Sequence, residues 1–222
     1  MDAAQARGDP HRAEEVAKQL RSVDPTAIGG DGPRIAFWLN LYNARLLHAL
    51  ALRPRSGHLF RHRRLFRTGS YEVGGHSYTL DLIEHGLLRG NARPPYSPRR
   101  LLREGDPRLA AAPAMVDPRI HFALNCGARS CPPIRPYSGE SLDAELEAAA
   151  RAYVAAESRL DRARGELELP GLVKLYRDDF GAREQLLALA ADGLGRDDAD
   201  WIRAHQDQLT VRFARFDWRL VT

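Results

Sequence analysis

The sequence predicts an α+β fold in which a largely apolar central helix packs on a small, mostly antiparallel sheet. Three observations carry this reading. The segment PRIAFWLNLYNARLLHAL, beginning at Pro33, is apolar on nearly every face, as expected of a helix surrounded by other elements. The run RIHFALNC alternates Ile120, Phe122, Leu124 and Cys126 with His121, Ala123 and Asn125, the two-residue period of a strand. Finally, the helical and strand-like segments do not follow a regular βαβ order, which argues against a doubly wound parallel sheet.

The elements follow in order. From Asp9 to Val23, an Asp-Pro start and the stripe Ala13, Val16, Leu20 and Val23 indicate a short amphipathic helix. Residues 24–33, rich in Gly and Pro, form a loop into the central helix, which is expected from Pro33 to about Leu52. The stretch SYEVGGHSYTL has the composition of a hairpin turning at Gly74-Gly75. Thr79 is placed to cap a helix through LDLIEHGLLR, which Gly90 ends. Six prolines between Asn91 and Pro118 rule out continuous regular structure, leaving room for a short helix near Pro98 to Arg103. After the His121 run, Ser141 is expected to cap a helix to about Glu157. A short strand ELEL, two helices starting near Ala182 and Asp197, and a strand LTVRFARFDW complete the chain.

With 222 residues, 44% hydrophobic and 28% charged, the chain is long enough to bury a core and is composed like a globular protein. The expected organisation is an N-terminal helix and linker over 1–28 and one globular domain over 29–222. No apolar run reaches the roughly 20 residues that cross a bilayer. The start MDAAQARGDPHRAEE lacks the apolar stretch of a secretory signal, so a soluble, cytoplasmic protein is expected unless a signal has been trimmed away. The formal charge is +4, and Lys18 and Lys174 are the only lysines. Basic residues concentrate from Arg53 to Arg67. That segment suits a weak contact with an anionic surface, although a charge run is most often a solvated face, and no nucleic-acid motif accompanies it.

Chemistry is suggested by Cys126 and Cys131, with His121 five residues before the first. Zinc normally takes four ligands, and the chain offers no second pair at recognised spacing, so no metal or other cofactor is implied. A disulfide is geometrically possible but needs an oxidising compartment. The third reading is nucleophilic: Cys131, in a turn-rich loop, as the attacking thiolate, His121 as the base, and Asn125 as orienting or oxyanion group. Against it stands the ordinary reading that both residues are structural. Asn40, Tyr42 and Asn43 form a second group on the central helix. Asn is a poor helix former, so these amides need partners, either loop backbone or a ligand. His85 and Arg89, with Asp178 and Asp179, are further candidates to line a cleft.

AFWLNLYNARLLHAL, YEVGGHSYTLDLIEHGLLRG, DPRIHFALNCGARSCPPIRPYS, VKLYRDDFG and FDWRL occur in that order, from about Gly29 to Leu220. Together they resemble the uncharacterised family known as domain of unknown function 547. The resemblance brings no established activity. A helix with polar residues near its start, followed by a strand opening with His, is also similar, distantly, to the papain and transglutaminase-like arrangement, in which a helix-borne Cys meets a strand-borne His. Here the helix carries Asn40 and Tyr42 and no Cys, and Val221 stands where the family's closing motif tends to carry Asn. The expectation is therefore cysteine-dependent acyl chemistry, as amide or ester hydrolysis or acyl transfer, with a non-catalytic ligand- or protein-binding module as the alternative.

Overall fold

The computed structural model describes residues 10–51, 57–59 and 64–220. Much of the basic segment, at 52–56 and 60–63, lies outside the described residues. Helix α1 (Pro10–Gln19) passes through a short 3-10 turn into α2 (Asp31–Ala51), the apolar helix expected from the sequence. Its burial is nearly all-round, with Trp38, Leu39 and Leu46 fully enclosed. The start of α2 is tied down by side chains: Asp31 accepts from the backbone N–H groups of Ala114 and Met115, and Trp38 donates its indole N–H to Ala111 O at 2.8 Å.

After a short helix α3 (Arg64–Thr68), strands β1 (Ser70–Val73) and β2 (His76–Thr79) form the expected antiparallel hairpin, with Ser70 opposite Thr79. Gly74 and Gly75 both take positive φ, as its tight turn demands. Thr79 Oγ1 then accepts from Leu82 N, as expected of a cap. The helix that follows is π-helical over Leu82–Leu88. From 91 to 118 the chain is mostly irregular. The helix expected near Pro98 to Arg103 is absent because both backbone groups of Leu102 bond to the side chain of Asn91 rather than to a neighbouring turn.

The largest departure concerns RIHFALNC, which is not a strand. Asp117 caps a 3-10 helix over Pro118–Phe122 by accepting from Arg119 N. Beyond it, Ala123 O and Asn125 N are both taken by the amide of Asn43, so no neighbouring strand is needed to satisfy them. Residues 120–124 are all buried, alternation notwithstanding, because packed elements surround the segment on every side.

The remainder comprises α4 (Leu142–Glu157), β3 (Arg159–Asp161), β4 (Glu166–Leu169), α5 (Gly171–Leu175), α6 (Arg183–Gly193), α7 (Arg196–His205) and β5 (Thr210–Phe213). Ser141 stands at the N-cap of α4 without a side-chain capping bond. Strand β4 is central, antiparallel to β3 and parallel to β5. The class is α+β, and strand pairing is mostly antiparallel. Apolar side chains gather in two clusters, one around α2, the hairpin and the π-helix, the other around α4, the three-stranded sheet and α5 to α7. Ile120 belongs to the first and Phe122 to the second, which places His121 on the seam between them.

Candidate functional site

The seam holds a connected set of buried polar side chains. His121 Nε2 lies 2.7 Å from Asp179 Oδ2. Arg89 grips the same carboxylate with two bonds, Nη2 to Oδ1 at 2.8 Å and Nε to Oδ2 at 2.5 Å. Such a forked pair fixes the plane of the carboxylate as well as its position. Arg89 also reaches His85 Nδ1 at 3.0 Å and donates to Arg93 O at 3.1 Å. Beside this chain, Glu84 accepts from two hydroxyls, Tyr42 at 3.1 Å and Tyr176 at 2.5 Å. A further tyrosine, Tyr96, donates to Asp81 at 2.5 Å.

Local backbone explains the convergence. In the π-helical register Arg89 N donates to Glu84 O, five residues back, so Glu84, His85 and Arg89 are presented together toward the seam. Tyr176 and Asp179 come from the tight turn after α5, where Asp179 N donates to Tyr176 O. The turn brings the hydroxyl of one residue and the carboxylate of the other to the same spot.

Charge states follow from this geometry. Burial pushes the Asp179 carboxyl up, but the hydrogen bonds from Arg89 and His121 outweigh it and hold it well below the usual carboxylate range. Glu84 behaves alike: burial opposes ionisation, and the nearby His85, the Tyr176 hydroxyl and His121 bring it below its ordinary value. Burial lowers both His121 and His85, more than their acidic neighbours raise them. Tyr42 and Tyr176 are pushed up, first by burial and then by the Glu84 charge, so they stay protonated donors. An ionised carboxylate only accepts, so His121 Nε2 carries the proton facing Asp179 and Nδ1 is left as the acceptor.

Two cavities adjoin the network. A slot of about 50 Å³ is lined by Tyr42, Glu84, His121, Tyr176, Cys131 and Trp218, among others. A larger groove of about 230 Å³ runs along α4, lined by Phe122, Tyr153, Ser130, Cys131, Arg129 and Arg135, among others. Cys131 lines both cavities, whereas Cys126 lines the slot alone.

The sequence-predicted residues divide. Cys131 is joined to Cys126 in a disulfide, so neither sulfur is a free thiolate and the expected Cys131 nucleophile is corrected. Asn125 does not orient His121; its amide accepts from Gly127 N and donates to Pro132 O, closing its own loop. Asn40 bonds both backbone groups of Tyr137, and Asn43 clamps the 123–125 segment, so these amides anchor loops. Tyr42, His85, Arg89 and His121 do meet at the seam, and Asp179 joins them. Sequence reasoning missed Glu84 and Tyr176. The available signal was an acidic residue inside the otherwise apolar LIEHGLL, which demands partners if that helix is buried. Among the described residues no group of three or more His, Cys, Asp or Glu is placed to hold a metal ion. No helix of the described residues is long and apolar enough to cross a membrane.

Fold and site together define an α+β domain built around a buried His–Asp–Arg and Glu–Tyr network. The chain belongs to the family described as "Protein of unknown function, DUF547", whose model matches residues 31–154. That match takes in the π-helix, His121 and both cysteines, while Tyr176 and Asp179 lie beyond it. No curated protein and no solved structure matches the chain.

Proposed function

We propose that His121 is a general base for acyl chemistry, hydrolysing an amide or ester or transferring an acyl group, with water or a substrate hydroxyl as the attacking group. The observation that carries this is the His121–Asp179 bond, with the carboxylate held from behind by Arg89. A base of this kind needs one fixed tautomer and a neutral ring at working pH, and the carboxylate supplies the first while burial supplies the second. The adjoining slot is of a size to admit a water or a carbonyl group. Its wall also carries the Tyr42 and Tyr176 hydroxyls on Glu84, which are positioned to hold a polar group beside the imidazole. The disulfide removes the thiolate from the attacking role that the sequence suggested, so the oxidised protein relies on an oxygen nucleophile.

A second reading, a non-catalytic binding module, is favoured by the closure of the network: every named carboxylate already has a partner inside the protein. A panel of chromogenic esters and anilides separates the two. Catalysis predicts turnover that rises with pH as His121 loses its proton. It also predicts a loss of roughly 10²- to 10⁴-fold in His121→Gln and Asp179→Asn at retained circular dichroism. Turnover absent across the panel, or untouched by both substitutions, would leave the binding reading in possession.

A further inference from the structure

The disulfide raises a separate question: why a loop already held by hydrogen bonds carries one. Asn125 ties Gly127 N and Pro132 O; Arg129 N donates to Arg219 O at 2.8 Å. Asp217 N donates to Ser130 Oγ, and Tyr153 donates to Ser130 O. None of these bonds involves a sulfur, so each can persist when the disulfide opens. Both cysteines are partly exposed, and Cys131 lines the larger groove.

The walls of that groove define what could approach. The side chains of Arg129 and Arg135 are exposed and make no hydrogen bond or ion pair among the described residues. Asp217, an acid on which the Arg129 charge acts, is itself gripped by Arg219. Phe122, Ala149, Ala152 and Tyr153 make the floor apolar, and Glu157 is the single acid on the lining. Two cations and one anion around an apolar trough match a small amino-acid-derived thiol that carries carboxylates and an ammonium group.

We propose that Cys126–Cys131 is a thiol–disulfide exchange site for such an anionic low-molecular-weight thiol, with Cys131 the sulfur attacked. The thiolate RS⁻ bonds to Cys131 Sγ, the Cys126–Cys131 bond breaks, and Cys126 leaves as a thiolate. A second RS⁻ attacks the bound thiol's own sulfur, releasing RSSR and the Cys131 thiolate. Two thiols are oxidised by two electrons in all, and the two protons they lose end on the two cysteines. The direction of attack follows from access, since the groove exposes Cys131 and not Cys126. Positive charge from Arg129 and Arg135 draws the anionic thiolate in and stabilises the thiolate that forms. The exchange stands apart from the His121 chemistry and does not require it.

The test uses the native protein and three reductants, glutathione, 2-mercaptoethanol and cysteamine, with rates expressed per thiolate. The expected order is anionic, then neutral, then cationic, with the glutathione rate saturating and falling with added salt. Arg129→Ala and Arg135→Ala should each slow glutathione roughly two- to fivefold, the scale of one exposed charge pair, and leave 2-mercaptoethanol unchanged. Arg151→Ala, on α4 but off the groove, should change neither. In Cys126→Ser, oxidised glutathione should add one glutathionyl group at Cys131, read by peptide mass. A disulfide that yields only in denaturant would overturn the proposal, as would a rate order blind to charge or arginine variants that behave as the native protein.

Discussion

The imidazole of His121 lies face to face with the ring of Tyr176, their centroids 3.8 Å apart and their planes at 18°. The same tyrosine donates its hydroxyl to Glu84, and the same histidine faces Asp179. One stacked pair therefore joins the carboxylates of Glu84 and Asp179, and disturbance of either ring is felt at both. Tyr176→Phe keeps the stack and removes the bond to Glu84, a hydrogen bond to a charged group. A loss of about 1.5–3 kcal/mol is expected in urea unfolding, with Tyr42 left as the remaining donor. A loss below about 0.5 kcal/mol would show that Glu84 does not depend on this hydroxyl.

Asp179→Ala leaves Arg89 almost wholly buried with no carboxylate opposite it. Breaking a buried pair from one side costs about 3–5 kcal/mol. Replacing both, as in Asp179→Ala with Arg89→Met, should recover part of that loss. Chemical denaturation of the single and double variants measures the difference, and simple additivity would mean that the two side chains are not coupled.

Acid should unfold the protein in two stages. The folded-state values of His121 and His85 lie below the ordinary 6.5, so the unfolded chain takes up protons that the native one does not. Stability is then lost as pH falls below 6.5. Asp179 and Glu84 are also lowered, from 3.8 and 4.5, and add a second loss below those values. Asp81, raised by burial, acts in the opposite sense over the carboxylate range. Melting temperature against pH should fall from near neutrality downward, and His121→Gln should flatten the upper stage.

The disulfide closes a short loop, with its cysteines five positions apart. Chain entropy then assigns it only about 2 kcal/mol. The double variant Cys126→Ser, Cys131→Ser should remain folded, its loop held by the Asn125 and Ser130 bonds. Global unfolding of that variant at room temperature would show the bridge to be indispensable.

Gly171 sits where a Cβ would meet Ala214 O at 2.7 Å and Phe216 N at 2.8 Å, so Gly171→Ala must push the start of α5 away from the segment that follows β5. A cost of about 1–3 kcal/mol is expected from this overpacking. Gly29, whose added Cβ would meet nothing within 4 Å, is the matched control. Gly29→Ala should be neutral or stabilise by roughly 0.4–1 kcal/mol. Thermal melts of both variants make the comparison.

Local pattern sufficed for α2, for the Gly74-Gly75 hairpin, and for the Thr79 cap, because each rests on residues adjacent in sequence. It failed at RIHFALNC, where period-two alternation was present but the backbone partners came from Asn43, 80 residues upstream of Ala123. It failed again at Pro98 to Arg103, where the Asn91 side chain occupies the Leu102 backbone. In both places a side-chain amide supplies the bonds that a strand or helix would otherwise supply. No periodicity within the segment reports that.

By itself the sequence determined the α+β class, the apolar central helix and the family, and it singled out Tyr42, His85, Arg89 and His121 as candidates without placing them together. These follow from composition, periodicity and motif order, all of which are local or linear. Only the tertiary structure decided which partner each residue takes. Asp179 reaches His121 across 58 residues and Arg89 across 90, Tyr176 reaches Glu84 across 92, and Cys131 is bonded to Cys126 instead of facing a substrate as a thiolate. The physical reason is that burying a charge forces a choice among every opposite charge and donor the fold can bring near, and that choice is made in space.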